Sequence, residues 1–385
     1  MKRADHPRRR PTRPATAVLA VVLAAGPLAV APPAAAVPEP LDATALGVAG
    51  GRSAVLVEVA TGQVIAARDA DVRRPVASTI KLVTALVAAE ALPPGRVVTV
   101  GPEVRDVGGA SAGLVPGDVV DVDDLLALLL LRSGNDAAVA LAVAVAGDED
   151  AFVARMEAAL ADLGIDAELA SASGLDAGDR LSATELATVA RAVLDVPRLA
   201  GPAGRASVVA ADGTVLANRN LLLDRVVGAT GLKTGYTEAA GWTLVGTAER
   251  DGRRLVAVVL GAADEAERLA VVARLLEHGF TATRSAPTAR DLELRTGGGT
   301  VRWEVDAGPL TIARGAELTV AWPEAYDPAA APREVPILVD GTPVTTSAVR
   351  VSDPRPAPGT AGPGPAAASA VYAALRAAGA AGLLG

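Results

Sequence analysis

Lysine is rare in this chain, and the copies outside the N-terminal segment each lie beside hydroxyl residues. The 385 residues contain 36 lysines and arginines, and only Lys2, Lys81 and Lys233 are lysine. Arginine stays protonated in proteins, whereas a buried lysine can lose its proton and act as a base. The positions of Lys81 and Lys233 therefore indicate where proton-transfer chemistry is to be sought.

The first candidate is the sequence Ser78-Thr79-Ile80-Lys81. A spacing of three residues puts the serine and lysine side chains on one face of a helix. The start of a helix also supplies free N–H groups and positive potential near the serine. Serine is a weak nucleophile that needs a neighbouring base, and a neutral lysine amine is such a base. The alternative is a capping serine followed by a solvated lysine.

The second candidate, Ser133-Gly134-Asn135, follows the apolar run 125–131 at a predicted break between helices. Such a break can direct a hydroxyl and an amide into a cleft. The same residue types are common in ordinary turns and caps, so a turn is the alternative.

The third candidate, Lys233-Thr234-Gly235, is predicted on a strand next to a hairpin strand at 241–249. Lysine and threonine side chains can bind a carboxylate there, and glycine lets a ligand approach the backbone. The alternative is a surface turn.

Other catalytic groups are scarce. The two histidines are His6, near the N-terminus, and His278, predicted at a helix end, where a cation suits the helix dipole. The chain has no cysteine, which excludes thiolate nucleophiles, thiolate metal sites and disulfides. We find neither a metal-ligand cluster nor a phosphate-binding glycine loop, and we expect no cofactor and no metal.

Hydrophobic periodicity predicts strands at both ends of the main domain and helices between them. Hairpins are predicted around Thr61-Gly62 and Asp251-Gly252. The order predicts an α+β domain with one antiparallel sheet built from terminal strands and a second lobe of central helices. Helices are predicted at 78–92, 121–146 with a break near 132–135, 149–163, 182–194, and 263–278 with Gly279 closing the last.

The segments outside this domain have distinct compositions. Residues 1–36 are predicted to be a secretory signal peptide, with a basic start, an apolar stretch at 17–30 and an A-x-A-like site at 34–36. Its removal takes away six positive charges and one negative, so that the net charge falls from −8 to −13. That acidity argues against a nucleic-acid partner.

The C-terminal part reads as two further segments. Short alternating runs at 292–295, 300–305, 318–322 and 335–339 predict a small β-rich domain over 285–352, after a main domain at 37–284. Residues 353–385 are a Pro/Gly/Ala-rich linker and tail. For the apolar tail, weak membrane association and a frayed end are the two alternatives.

The three motifs together resemble a known family. They follow the order S-x-x-K, S-x-N, K-T-G with gaps of 55 and 100 residues. The chain resembles serine-type D-alanyl-D-alanine carboxypeptidases, the low-molecular-mass penicillin-binding proteins, and related motif sets occur in class A β-lactamases. The segments that look like signature blocks of the family, within a resemblance covering about 45–280, are 75–81, 133–138, 173–176 and 231–237.

The resemblance implies a β-lactamase/DD-peptidase-like catalytic domain that removes D-Ala from peptidoglycan peptides ending in D-Ala-D-Ala and is acylated by β-lactams. It implies export to the cell wall or periplasmic space. Ser78 would be the nucleophile, and Lys81 its base, made neutral by burial and by the nearby Lys233. The implied site residues are Ser78, Lys81 and Ser133 for catalysis, and Asn135, Lys233, Thr234, Gly235 and Tyr236 for substrate binding.

The implied roles divide the reaction among these groups. Ser133 would shuttle a proton between the lysines and the leaving amine, and Asn135 would hold the substrate amide. Lys233 and Thr234 would bind the terminal carboxylate. The backbone N–H groups of Ser78 and Tyr236 would form the oxyanion hole.

Three alternatives use the same motifs. A β-lactamase needs fast deacylation, for which class A enzymes use a glutamate acting through water. The glutamates at hand between the second and third motifs are Glu149, Glu157, Glu168 and Glu185, and none stands in a recognisable setting. A DD-endopeptidase or transpeptidase would differ in leaving group or acceptor, and a non-catalytic penicillin-binding wall protein would keep only the fold.

Overall fold

A computed structural model describes residues 40–47, 50–296, 299–321 and 334–352. The predicted signal peptide at 1–36 and the predicted linker and tail at 353–385 lie outside the described residues. Among the helices that the structure does describe, none has the length and hydropathy required to cross a membrane.

Strands and helices alternate in blocks along the chain. The strands are β1 (Leu41–Asp42), β2 (Ser53–Glu58), β3 (Val64–Arg68), β4 (Arg74–Pro75), β5 (Val97–Thr99), β6 (Val119–Asp121), β7 (Arg180–Leu181), β8 (Ser207–Val209), β9 (Val215–Ala217), β10 (Ala229–Thr237), β11 (Gly241–Arg250), β12 (Arg253–Ala262), β13 (Thr283–Ala286), β14 (Arg290–Thr296), β15 (Gly299–Val305), β16 (Leu310–Ala313), β17 (Leu318–Val320), β18 (Glu334–Val339) and β19 (Thr342–Ser352). The α-helices are α1 (Lys81–Ala91), α2 (Val122–Ala127), α3 (Asn135–Ala146), α4 (Glu149–Asp162), α5 (Ala183–Leu194), α6 (Pro197–Ala203) and α7 (Glu265–Ala282).

The main sheet joins strands from the two ends of the main domain. In the described residues it has six strands in the order β1-β3-β2-β12-β11-β10. All neighbours are antiparallel except the short β1, which pairs in parallel with β3. The prediction of one sheet from terminal strands is confirmed, and the parallel pair was not predicted. Strand β10 lies at one edge of this sheet.

Both faces of the sheet are buried. Successive side chains along a strand point to opposite faces, so each strand contributes to two cores. On β12, Val256 and Val258 face the core shared with the helical lobe. Their neighbours Ala257 and Val259 face a second core, which is closed by α7. The strands β2, β11 and β12, predicted as hairpin strands from their alternating pattern, are thus central strands covered on both faces. Helix α7 covers one face, and the lobe of α1 to α6 covers the other.

The helical lobe confirms the predicted helices and the predicted break. Helix α5 starts with a complete capping box, in which the Ser182 hydroxyl accepts from the Glu185 N–H and the Glu185 carboxylate accepts from the Ser182 N–H. Helix α2 continues into a π-helical segment at Leu128–Arg132. The chain then turns at Ser133, which has a φ of 62°, before α3 begins.

The prediction that α7 ends at residue 278 with Gly279 as its cap is wrong. The helix continues to Ala282, and Gly279 is a buried residue inside it. A Cβ at this position would lie 2.5 Å from Leu255 Cδ1 and 3.1 Å from Leu56 Cδ2. The glycine therefore lets the helix lie close against the sheet, a role that resembles a cap when only the sequence is read.

The C-terminal part is β-rich, as predicted, and the α+β fold class is confirmed. A five-stranded sheet in the order β14-β15-β19-β18-β17 accompanies the β13–β16 pair. The predicted runs fall on strands, apart from residue 321, which follows the end of β17, and residue 322, which is outside the described residues. The Gln63 amide pairs with the backbone of Thr311 in both directions, at 2.7 and 2.9 Å, which ties β16 to the hairpin loop of the main sheet.

We predict that Gly279→Val lowers the free energy of unfolding by about 1–3 kcal/mol, because the added methyl groups overpack the interface with β2 and β12. Urea unfolding followed by circular dichroism measures the loss. Ala270→Val, at an exposed position of the same helix, is the control and is expected to cost about 0.5 kcal/mol from helix propensity alone. Equal losses in the two variants contradict the packing role.

Candidate active site

Ser78 lies in a single 3-10 turn, Ala77–Ile80, that leads directly into α1. Lys81 is the first residue of the α-helix. The residue before the serine, Ala77, has a φ of 49°, an uncommon conformation that costs about 1–3 kcal/mol and is characteristic of functional sites. The turn leaves Ser78 partly exposed while Lys81 points into the protein.

The Lys81 amine is completely buried and has three oxygen partners. Its Nζ lies 2.8 Å from Ser78 Oγ and 2.6 Å from Asn135 Oδ1, and it also donates to the Ser173 carbonyl. The amide and carbonyl oxygens can only accept hydrogen bonds, whereas a hydroxyl can also donate. A neutral amine has two hydrogens and one lone pair. The two fixed acceptors take the hydrogens, so the lone pair is left for the Ser78 hydroxyl.

The electrostatics favour this neutral amine. Burial lowers the pKa of Lys81 to about 7, with Arg219 acting in the same direction, while the carboxylates of Asp136, Asp179 and Glu149 oppose the shift. The predicted effect of burial agrees with this value. Arg219 is a further neighbouring cation that the sequence did not point to, and the predicted repulsion between Lys81 and Lys233 appears in the lowered pKa of Lys233.

The second motif is brought next to the first by the turn before α3. Asn135 is buried, and its two amide atoms are bonded inside the protein, with Oδ1 accepting from Lys81 and Nδ2 donating to the Gly108 carbonyl at 2.6 Å. The buried Ser133 adopts a left-handed conformation. In the described part of the chain, no hydrogen bond joins its hydroxyl to Lys81 or Lys233.

The third motif lies on the edge strand β10. Lys233 and Thr234 are buried, and Lys233 Nζ donates to the Thr234 carbonyl at 2.8 Å. Burial lowers the pKa of Lys233 well below its usual range, and repulsion from the cations Lys81, Arg219 and Arg268 lowers it further. An anionic ligand would offset these effects, so the position suits carboxylate binding.

Gly235 and Tyr236 complete this edge. A Cβ on Gly235 would lie 3.0 Å from the backbone nitrogen of Ser78 and 2.4 Å from Thr243 Oγ1. Glycine therefore allows β10 to lie directly beside the turn that carries the serine. Tyr236 is half exposed and packs against Trp242, with ring centroids 4.7 Å apart and the ring planes tilted by 41°.

Several contributing groups were not predicted. The Ser173 carbonyl holds Lys81, yet the resemblance marked only the segment 173–176 and gave it no role. The guanidinium of Arg268 is buried under Trp242 and donates to the carbonyls of Gly235 and Thr243, at 3.1 and 3.4 Å. An arginine on α7 carries no sequence signal of such a contact. The half-buried His278, on α7, has no part in the site.

The arrangement can generate a serine nucleophile and bind an anionic ligand without a metal. Within the described ranges, no group of three or more His, Asp or Glu side chains could hold a metal ion.

We predict that Lys81 titrates near pH 7, because burial disfavours its charged form. Labelling lysine with ¹³C at Cε gives few NMR signals in this lysine-poor chain, and Lys81→Arg assigns the relevant one. An exposed lysine introduced by Arg155→Lys is the internal control, expected near pH 10.4. A Lys81 midpoint above pH 9 contradicts the neutral base.

Comparison with known proteins agrees with this geometry. The sequence model of the Peptidase S11 family, described as D-alanyl-D-alanine carboxypeptidase, matches residues 43–264. D-alanyl-D-alanine carboxypeptidase DacF of Bacillus subtilis is 32% identical over 247 residues, which are 61% of this chain and 64% of that protein. DacA of Escherichia coli K12 is 35% identical over 243 residues, covering 59% of this chain and 60% of that protein.

The solved structures show the same fold. Penicillin binding protein 6B from Escherichia coli superposes with a TM-score of 0.67 at 30% identity, covering 78% of this chain and 95% of that one. The curated relatives named above are covered over less than two thirds of their own length. The family match extends over more than half of the 385 residues, and the chain therefore belongs to the Peptidase S11 family of D-alanyl-D-alanine carboxypeptidases.

Proposed function

We propose that the protein is a serine D-alanyl-D-alanine carboxypeptidase that removes the terminal D-Ala from peptidoglycan stem peptides. The observation that carries the proposal is the buried Lys81 amine, which lies 2.8 Å from Ser78 Oγ and within hydrogen-bonding distance of two fixed acceptors, Asn135 Oδ1 and the Ser173 carbonyl. The reaction takes place outside the cytoplasm, since residues 1–36 are read as a secretory signal. β-Lactams acylate the same serine.

The reaction begins with proton transfer from Ser78 Oγ to Lys81 Nζ as Oγ attacks the carbonyl between the two D-Ala residues. The backbone N–H groups of Ser78 and Tyr236 form the oxyanion hole, a role supported by the close approach of Gly235 to the Ser78 nitrogen. Collapse of the tetrahedral intermediate breaks the C–N bond and leaves the peptide as an ester on Ser78, while the departing amine of D-Ala takes up the proton that Lys81 had accepted. Water then hydrolyses the ester and frees Ser78.

The remaining predicted residues bind the substrate or relay protons. Lys233 and Thr234 bind the terminal carboxylate, which restores the charge that burial takes from the lysine. Ser133 relays the proton towards the leaving amine. Asn135 holds the substrate amide, as the family resemblance implies. Its bonds to Lys81 and the Gly108 carbonyl support a second role, that of orienting the base.

The β-lactamase alternative depends on a glutamate that activates water. Of the four candidates, Glu149 is the one that lines a cavity of about 410 Å³ together with Ser173. Its carboxylate accepts the Ala172 N–H at 2.9 Å and has that structural role. The Glu185 carboxylate is bonded within its capping box and to Arg73.

Two assays on the mature protein separate the alternatives. A carboxypeptidase keeps a fluorescent penicillin label on Ser78 and releases D-Ala from a peptide ending in D-Ala-D-Ala. A β-lactamase loses the label and consumes the drug. A DD-endopeptidase or transpeptidase cleaves or joins cross-linked peptides in preference, and a non-catalytic wall protein releases no D-Ala.

We predict that Lys81→Arg lowers D-Ala release by about 10²–10⁴-fold, because a guanidinium stays protonated and cannot take the Ser78 proton. Release of D-Ala is measured with an assay coupled to D-amino acid oxidase. Glu90→Gln, an exposed change at the far end of the same helix, is the control and keeps wild-type turnover. Undiminished turnover in Lys81→Arg rejects the proposed base.

We also predict that penicillin acylation speeds up as pH rises through about 7. Below its pKa of about 7, Lys81 is protonated and has no lone pair, whereas above it the neutral amine accepts the serine proton. The second-order rate constant, measured with labelled penicillin from pH 5 to 9, gives the midpoint. A rate that is flat between pH 6 and 8 contradicts the assignment.

A further inference from the structure

The segment 170–179 places a carbonyl against the reacting pair. The Ser173 oxygen accepts from Lys81 Nζ and lies 3.4 Å from Ser78 Oγ. The next residue, Gly174, has a φ of 79°, and a Cβ there would lie 2.1 Å from the Ala77 carbonyl oxygen. The segment therefore lies directly on the turn that carries the nucleophile, and a small displacement would withdraw one of the two acceptors from the amine.

A fully buried carboxylate, Asp179, holds this segment in place. Its Oδ1 accepts the N–H groups of Ala170 and Ser171, at 2.8 and 3.1 Å, and its Oδ2 accepts the Ser171 hydroxyl at 2.6 Å. Ser171 Oγ in turn accepts the Gly174 N–H at 2.9 Å. These hydrogen bonds form a relay from Asp179 through Ser171 to Gly174, the residue that follows Ser173.

Asp179 also contacts the segment that precedes the nucleophile. Its backbone carbonyl accepts the Val76 N–H at 3.0 Å. The Val76 carbonyl accepts the hydroxyls of Thr79 and Thr243, at 2.7 and 3.2 Å. One residue therefore ties together the loop that supplies the acceptor and the turn that supplies the nucleophile.

The hydrogen bonds around the carboxylate favour its ionised form, whereas its burial opposes that form. Three donors point at its two oxygens, and two of them are backbone N–H groups that can only donate. Burial raises the pKa of Asp179, while the bonds from Ser171 and Ala170 oppose that rise. Two other carboxylates favour the protonated form of Lys81, those of Asp136, next to Asn135, and Glu149, on α4. Arg219 disfavours that form. Lys233 and Lys81 repel each other when both are charged, which lowers the pKa of Lys233.

We propose that Asp179 is a positioning residue for the Ser78–Lys81 pair, fixing the Ser173 carbonyl against the amine through Ser171 and placing a carboxylate charge near it. The rate effects of this inference rest on the proposed function. The titration of Lys81 does not, because it is observed on the free protein.

Two variants separate the charge from the relay. Asp179→Asn keeps the shape of the side chain and removes the charge, whereas Ser171→Ala keeps the charge and removes the hydroxyl. The control is Glu157→Gln, since Glu157 accepts the Leu169 N–H at 2.9 Å at the start of the same loop and does not act on Lys81. For each protein, the ¹³Cε signal of Lys81 is titrated and D-Ala release is measured.

We expect Asp179→Asn to move the Lys81 midpoint to lower pH, because the charge that favours the protonated amine is gone. We expect Ser171→Ala to leave that midpoint in place and to lower D-Ala release about tenfold, since the acceptor is no longer held in position. Glu157→Gln changes neither quantity.

The inference is overturned by an unchanged Lys81 midpoint in Asp179→Asn, or by wild-type turnover in Ser171→Ala. Should Asp179→Asn not fold, Ser171→Ala decides alone. If the wild-type protein releases no D-Ala, the proposed function fails, and the Lys81 midpoint in Asp179→Asn still decides the role of the charge.

Discussion

The hydrogen-bond inventory of one buried amine determines the rest of the site. Lys81 Nζ faces two oxygens that can only accept, those of Asn135 and Ser173, and a third, Ser78 Oγ, that can also donate. Only the neutral amine satisfies all three while keeping a lone pair for the serine. A protonated amine would donate to all three, and the serine proton would then have no base. The chemistry therefore requires both the burial and the two acceptors.

These requirements explain the unusual backbone around the serine. The acceptors come from the first residue of α3 and from the loop at Ser173, and each must approach the amine closely. Gly174 allows the first loop to lie on the Ala77 carbonyl, where a Cβ would be 2.1 Å away, and Gly235 allows β10 to lie beside the Ser78 nitrogen. Ala77 and Ser133 have positive φ values at the two turns that direct the proposed catalytic side chains. Positive φ values and glycines are therefore concentrated where three segments of the chain meet around Lys81.

Sequence reasoning predicted the elements well and the contacts less well. The hairpins, the helix break at Ser133 and the capping box at Ser182 follow from local patterns, and local patterns are what periodicity detects. Gly279 was misread as a cap because a glycine that fits a helix to a sheet looks the same in sequence as one that ends a helix. The roles of Asp179 and of the Ser173 carbonyl depend on tertiary contacts and on a backbone atom, neither of which leaves a residue-type signal.

The same burial has a thermodynamic consequence. An unfolded chain keeps its lysines protonated up to about pH 10.4, whereas the folded protein releases the Lys81 proton near pH 7. Between these values the unfolded state binds more protons, so stability rises with pH, and at neutral pH and below the fold carries the cost of the buried amine. The surrounding core bears that cost because Lys81 begins a helix whose first turns are buried in the apolar core. Lys233 adds a second buried amine whose charge an anionic substrate would restore, so the site is least stable when empty and is organised to gain from its ligand.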